Sequence, residues 1–307
     1  MPSNQTTLWD RGLCPTLSPK EQALAEENGI TIIPITSPDY PTAFKKLPDP
    51  PPLLYVKGKL PPDDALTLGI VGTRAATSWG MECTKTFAKR LSDAGAWIIS
   101  GLARGIDTAA HEASIGKTVA IIGSGLLDIY PKENSALAEQ LVVISEFPLR
   151  TPPTRYNFPR RNRLIAALSN ALLLTEAPIK SGAMITMRLG LKQKKPLFTL
   201  PGRAMNENYG GNHLLLKEGI AKLVETPEEL AKHIELSCQI RASSAITTPL
   251  LSPDEQKIVD ILSQSDVSLD TLAEESRLSI STIQVLLTKL VLRKVVEEIP
   301  GKRYKKS

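Results

Sequence analysis

Six short apolar runs, at residues 68–71, 97–99, 119–122, 141–144, 171–174 and 197–200, constrain this chain most. None alternates with polar residues, so each reads as a strand buried on both faces. Between them lie segments with helical period at 81–94, 107–115, 135–140, 163–169 and 183–194. Strands and helices in alternation predict an α/β fold: an extended, Rossmann-like, doubly wound and mostly parallel sheet. Before it, residues 1–65 are rich in proline and read as a segment leading into the core, with a short helix at 19–28 and a strand at 53–57. The Rossmann-like domain is expected over 66–240. A polar, punctuated linker follows at 243–249, and a second domain at 250–307.

Each expected strand runs into small or polar residues: Gly72-Thr73-Arg74, Ser100-Gly101, Gly123-Ser124-Gly125, Ser145-Glu146, Thr175-Glu176 and Pro201-Gly202. In an open α/β sheet the ligand crevice lies beyond the carboxyl ends of the strands, where helix N-termini favour anions. Glycine there also makes ordinary tight turns. Its recurrence along one edge, beside a basic segment, points to phosphate binding. Between Phe147 and Asn206 stand eleven basic residues and one acid, Glu176, a net +10 against +5 for all 307 residues. A field concentrated in this way attracts polyanions.

The second domain shows three helical segments, 253–263, 268–275 and 281–292, and then a β-ribbon, which together suggest a winged helix-turn-helix. Ser281 is expected to cap the third helix, with Gln284 three positions on. Ile283, Leu286, Leu287, Leu290 and Val291 form its expected buried stripe, leaving Thr282, Gln284, Thr288 and Lys289 outside. DNA recognition and protein contact both remain open for that shape.

No run reaches the about 18–20 apolar residues that span a bilayer, and the first residues show no secretory signal. Cys14, Cys83 and Cys238 have no metal-ligand spacing and fit a reducing cytoplasm. His111, His213 and His233 show no nucleophile–base arrangement, and there is no Walker-type loop. No catalytic residue, metal or cofactor is expected.

The order of motifs resembles the DprA family of DNA-processing proteins, also called Smf. The similarity covers about 35–230 and, more weakly, the last sixty residues. It rests on Tyr40-Pro41, Pro51-Pro52-Leu53-Leu54-Tyr55-Val56-Lys57-Gly58, Val71-Gly72-Thr73-Arg74 and the segment from Ser100 to His111. It continues through the segments from Gly123 to Pro131 and from Asn157 to Arg163, Glu176-Ala177, the segment from Lys180 to Thr186, Pro201-Gly202, Gly211-Asn212 and Lys217-Glu218-Gly219. The match is looser around 205–209. About thirty residues precede the matched region, too few for the helical domain with which many members begin.

The resemblance implies a protein of natural transformation that binds and protects incoming single-stranded DNA and passes it to the RecA recombinase. It further implies a homodimer formed through the Rossmann-like domain, and no established catalysis. The expected DNA contacts are Arg74 with the amides of Gly72 and Thr73, Ser124, and Lys180-Ser181-Gly182, where amides, a hydroxyl and an ammonium can converge on one phosphate. In the segment 157–163, Arg160, Arg161 and Asn162 join them, and Phe158 can stack on a base. Phe158 as a core residue, and Arg161 or Arg163 as a structural ion-pair partner, stay open. Arg104 serves the same edge or pairs with Asp107 or Glu112. Glu176 is expected to orient backbone amides or an arginine. Related phosphoribohydrolases use a strand-end glutamate, but their Pro-Gly-Gly-x-Gly-Thr stretch is absent here. A nucleotide-cleaving enzyme and a winged-helix regulator of duplex DNA are the two alternatives.

Overall fold

The computed structural model describes residues 17–234, 252–262, 267–276, 278–292, 295–299 and 303–306. The expected linker at 243–249, Cys14, Cys238 and the ribbon residues 300–302 lie outside the described residues. The chain divides into two units, Met1–Ile240 and Arg241–Ser307.

The first unit is built on β1 (Ile30–Pro34), β2 (Leu53–Lys57), β3 (Thr67–Val71), β4 (Trp97–Ser100), β5 (Thr118–Ile121), β6 (Val142–Ser145), β7 (Ala171–Leu174), β8 (Leu197–Thr199) and β9 (Lys222–Leu223). They lie in the order β1-β2-β6-β5-β4-β3-β7-β8-β9. β1 and β2 pair antiparallel, as do β2 and β6, and all other pairs are parallel. The helices are α1 (Pro19–Glu27), α2 (Thr42–Lys45), α3 (Ser78–Asp93), α4 (Ile106–Ala113), α5 (Ser135–Ala138), α6 (Asn157–Leu168), α7 (Gly182–Lys192), α8 (Gly210–Lys217) and α9 (Pro227–His233).

The unalternating runs form strands because both faces are covered. Ile70 and Leu173 face one core with Phe87, Leu91, Ile106 and Leu230 from α3, α4 and α9. Val71 and Leu174 face another with Leu164, Ile165 and Met187 from α6 and α7. Every residue of β3 is buried. From β3 the chain winds outward through β4, β5 and β6, then returns through α6 to β7 on the other side of β3. This reversal is the topological switch point, and it opens a crevice beyond the carboxyl ends of β3 and β7.

Three local expectations change. The proline-rich segment supplies β1, and β1 and β2 extend the same sheet, so the sheet runs across residue 65. Helix α6 begins at Asn157, six residues before the expected start. Pro159 sits in its first turn, where a missing N–H costs no helical hydrogen bond. Beyond β8, where the sequence reading assigns no element, stand α8, β9 and α9.

The second unit contains α10 (Pro253–Leu262), β10 (Val267–Ser268), α11 (Leu269–Ser276), α12 (Ile280–Leu292), β11 (Val296–Ile299) and β12 (Arg303–Lys306), with strand order β10-β12-β11. This is a winged helix. Ser279, not Ser281, caps α12: its hydroxyl accepts the Thr282 N–H at 3.2 Å. A reciprocal capping box opens α10, where the Ser252 N–H reaches Glu255 at 2.8 Å and the Glu255 N–H reaches Ser252 Oγ at 3.2 Å. Ile283, Leu287 and Leu290 are buried as expected, Leu286 packs against them partly buried, and Val291 is exposed.

One buried group makes the fold sensitive to acid. His111 of α4 is fully buried, with Nδ1 2.7 Å from the Thr118 hydroxyl. Burial pushes its pKa down from 6.5 to about 3, and Arg161 adds to the effect. The unfolded chain takes up a proton near pH 6.5 that the folded chain refuses until about pH 3. This contribution is therefore complete above pH 6.5 and is lost as pH falls through that window. The raised pKa values of Asp107 and Glu146 act with the opposite sign. In urea unfolding measured against pH, His111→Asn is expected to flatten the acid loss between pH 6.5 and 3, whatever it costs at neutral pH.

Candidate nucleic-acid interface

The crevice at the switch point is a groove of about 410 Å³. The turn after β3 places Gly72, Thr73 and Arg74 on it, α6 places Phe158, Arg161 and Asn162, and the start of α7 places Lys180, Ser181 and Gly182. Nine of the eleven expected residues therefore meet there. A larger cavity, about 700 Å³, opens at the amino ends of the strands beside Thr67, Asn170, Lys192 and Lys195. It lies away from the strand ends that present helix N-termini, so the smaller groove is the candidate site.

Arg74 and Lys180 are exposed, and neither has a carboxylate partner among the described residues. The Arg74 guanidinium lies over the half-buried Phe158 ring, 5.1 Å from its centroid. Tyr130 packs on the same ring at 5.8 Å, tilted by 52°. Tyr130 belongs to the family motif but carries no expected role; its place beside Phe158 needs the tertiary structure. Ser181 caps α7 by accepting the Met184 N–H at 3.4 Å, and Gly182 has open space where a side chain would start. The positive end of α7 is thus directed to the groove. Asn162 Nδ2 donates to the Gly182 carbonyl at 3.3 Å and ties α6 to that helix start.

Arg161 forms the floor. It is 3% exposed and donates through Nη1 to the Ile121 carbonyl. The Asp107 carboxylate opposes its charge and accepts the N–H groups of Gly101 and Ala103 at 3.1 and 3.4 Å. Burial lowers the Arg161 pKa to about 10, with Asp107 acting against that shift and Arg74 with it, so the cation persists at neutral pH. A Cβ on Gly101 would collide with Arg161 Nη1, so the guanidinium occupies the space that glycine leaves. Arg161 is therefore a structural cation, answered by Asp107, which lines the same groove.

Several expected contacts are placed differently. The Thr73 N–H is taken by the Glu176 carbonyl at 2.7 Å and its hydroxyl accepts the Ala75 N–H at 3.3 Å, so this residue shapes the turn and does not offer its amide. Ser124 is 1% exposed and lies off the groove, because the turn after β5 folds inward, where the Ser124 carbonyl accepts the Ser145 hydroxyl. Arg160 also turns away: its Nε donates to Glu146 at 3.1 Å and its guanidinium lies over Phe147. Arg163 is buried between Glu146 (2.5 Å) and Asp49 (3.2 Å). Arg104 pairs with Glu133, while Glu112 pairs with Lys85.

Glu176 is fully buried and accepts the Thr77 N–H at 3.2 Å, the Thr77 hydroxyl at 2.7 Å and the Tyr209 hydroxyl at 3.2 Å. It orients a backbone amide, as expected. The imidazoles of His111, His213 and His233 meet Thr118, the Gly202 carbonyl and the Phe198 ring respectively. Among the described residues no cluster of His, Cys, Asp or Glu has the makings of a metal site, and no helix is long and apolar enough to cross a membrane.

A doubly wound sheet with an aromatic-lined groove bearing Arg74 and Lys180 at its switch point, followed by a winged helix, defines a Rossmann-like architecture with an appended winged-helix domain. The chain belongs to the DNA-processing protein A (DprA/Smf) family. Residues 31–235 match the family model described as DNA recombination-mediator protein A, and residues 242–302 match the DprA winged helix domain. Protein Smf of Escherichia coli is 35% identical over 285 residues, covering 76% of that protein and 88% of this chain. The DNA processing protein DprA of Bacillus subtilis is 36% identical over 224 residues, covering 75% of that protein and 70% of this chain. The X-ray structure of DprA from Streptococcus pneumoniae superposes with a TM-score of 0.63 at 33% identity, covering 77% of that structure and 69% of this chain. DNA processing protein A from Helicobacter pylori, described for its single-stranded DNA binding mode, gives 0.62 at 33% identity, covering 95% of that structure and 67% of this chain.

The two kinds of arginine are separable by stability. Arg161→Ala empties the buried space beside Gly101 and leaves the Ile121 carbonyl without its donor, and is expected to cost about 2–4 kcal/mol in urea unfolding. Arg74→Ala, at an exposed position whose contact is the Phe158 ring, is expected to stay within about 1 kcal/mol of the wild type.

Proposed function

We propose that this chain binds single-stranded DNA along the switch-point groove. The observation that carries the reading is the pair of cations without carboxylate partners, Arg74 and Lys180, beside the Phe158 ring. Ammonium and guanidinium groups meet backbone phosphates. An aromatic between them meets bases only where these are unpaired, which selects single strands over duplex. The Helicobacter pylori relative, described for its single-stranded DNA binding mode, supports the same assignment.

In this reading the protein acts in the cytoplasm during natural transformation, shields the incoming strand and hands it to RecA, as a homodimer through the Rossmann-like unit and without catalysis. Family membership supports that setting. The structure gives a nucleotide-cleaving enzyme no support at Glu176, whose carboxylate is committed to Thr77 and Tyr209. For the winged helix we favour protein contact: the outer face of α12 exposes Thr282, Gln284, Val285 and Thr288, and Lys289 is the one cation of that helix.

The test is a titration of the full-length protein with an oligothymidylate over a range of salt concentrations. Binding should weaken steeply with salt, and Arg74→Ala and Lys180→Ala should each reduce the slope of log K against log salt by about 0.7 while weakening binding. Arg160→Ala, which removes a Glu146 partner, should leave that slope nearly unchanged. Equal affinity for duplex and single strands would overturn the proposal.

A further inference from the structure

Outside the groove, the described residues on the same edge of the sheet include the exposed aromatics Tyr156, just before α6, and Trp79. Trp79 lies in the first turn of α3 and is 42% exposed. It is propped in place. Thr77 caps the helix by accepting the Gly80 N–H at 3.0 Å, and buried Glu176 holds both the amide and the hydroxyl of Thr77. Gly80 has no room for a side chain, because a Cβ there would collide with Glu176 Oε2. The Trp79 ring meets Tyr209 edge to face, with centroids 5.8 Å apart at 73°, and Tyr209 is 2% exposed with its hydroxyl on Glu176. An exposed indole on so rigid a support loses little further freedom when a flat ligand stacks on it.

Its position relates it to the groove. Tyr209 packs over Gly202, just beyond β8, whereas Phe158 packs over Gly123, just beyond β5. Strands β4, β3 and β7 lie between, so at the usual strand spacing the two aromatic stations are about 19 Å apart along the edge. The two unpaired cations fall between them: Arg74 follows β3 and Lys180 follows β7. Ile179, half exposed and next to Lys180, lies against Gly210 beside Tyr209, which makes the surface continuous from the groove to the indole.

We propose that Trp79 is a second stacking platform, which takes an unpaired base of the same strand that the groove holds. The strand then crosses the carboxyl edge of the sheet from Phe158, over Arg74 and Lys180, to Trp79. This rests on the single-stranded DNA reading above and adds a direction and a length to it.

The experiment compares the full-length protein and its variants on an oligothymidylate and on an abasic oligonucleotide of equal length. Trp79→Ala should weaken oligothymidylate binding by about 5-fold or more. It should leave abasic binding and the salt slope unchanged, since no phosphate contact is lost. Trp79→Phe should keep most of the affinity. Intrinsic tryptophan fluorescence should be quenched by oligothymidylate in the wild type and much less in Trp79→Phe, a comparison that holds even if the alanine variant folds poorly. Equal losses on both oligonucleotides, or a lowered melting temperature with unchanged oligothymidylate affinity, would reduce Trp79 to a packing partner of Tyr209 and overturn the proposal. So would quenching that persists in Trp79→Phe. If instead the wild type binds duplex as tightly as single strands, the reading of the groove itself fails. Binding that depends on Arg74 and is indifferent to Trp79 sinks only the inference made here.

Discussion

A guanidinium buried beneath a surface groove needs its charge answered from inside the protein, and around Arg161 that requirement organises the end of the sheet. The side chain comes from α6 but is answered by three other places: the Ile121 carbonyl at the end of β5, the space at Gly101 beyond β4, and Asp107 in the first turn of α4. Removing a cation from water is costly unless hydrogen bonds and an opposing charge compensate it. The compensation here works only if these elements keep their relative positions. The crevice that the topology opens is thereby held to one shape.

Two further networks spread this rigidity along the edge. Glu146, at the end of β6, binds Arg160 and Arg163 and so sets the first turns of α6, from which Phe158 projects. Glu176, at the end of β7, fixes the cap of α3 through Thr77 and holds Tyr209. Of the eleven basic residues that the sequence concentrates between Phe147 and Asn206, Glu146 takes two, Arg160 and Arg163, while Glu176 holds no cation among the described residues. Facing the groove without a carboxylate partner among the described residues are Arg74 from the β3 turn and Lys180 before α7, while Arg161 below them is answered by Asp107.

The strands were legible because an apolar run without alternation has to be covered on both faces, and the run at 171–174 coincides with β7 residue for residue. β1 was not, because Ile30–Pro34 pairs antiparallel at the sheet edge and ends in proline, among residues that read as extended connection. The start of α6 was hidden by Pro159, which is harmless in a first helical turn. In the winged helix the stripe Ile283, Leu287, Leu290 was readable from its period. The cap at Ser279 was not, because Ser281 and Gln284 offer the same spacing two residues later. For the candidate site, nine of the expected residues line one groove, although Gly72 lies some 110 positions from Gly182.

By itself the sequence determined a doubly wound parallel sheet, a winged helix after it in the chain, and small and polar residues gathered at the strand ends. These follow from the period of apolar residues and from the chemistry of turns, both local properties. Which arginine faces solvent is not local. Arg160, Arg161 and Arg163 are near neighbours in sequence and look alike there, yet each is claimed by a carboxylate or carbonyl on another element: Glu146, the Asp107 and Ile121 pair, or Asp49. Arg74 has no such partner among the described residues. Only the tertiary structure decided that division, because the charge left for a ligand is whatever the fold has not already neutralised.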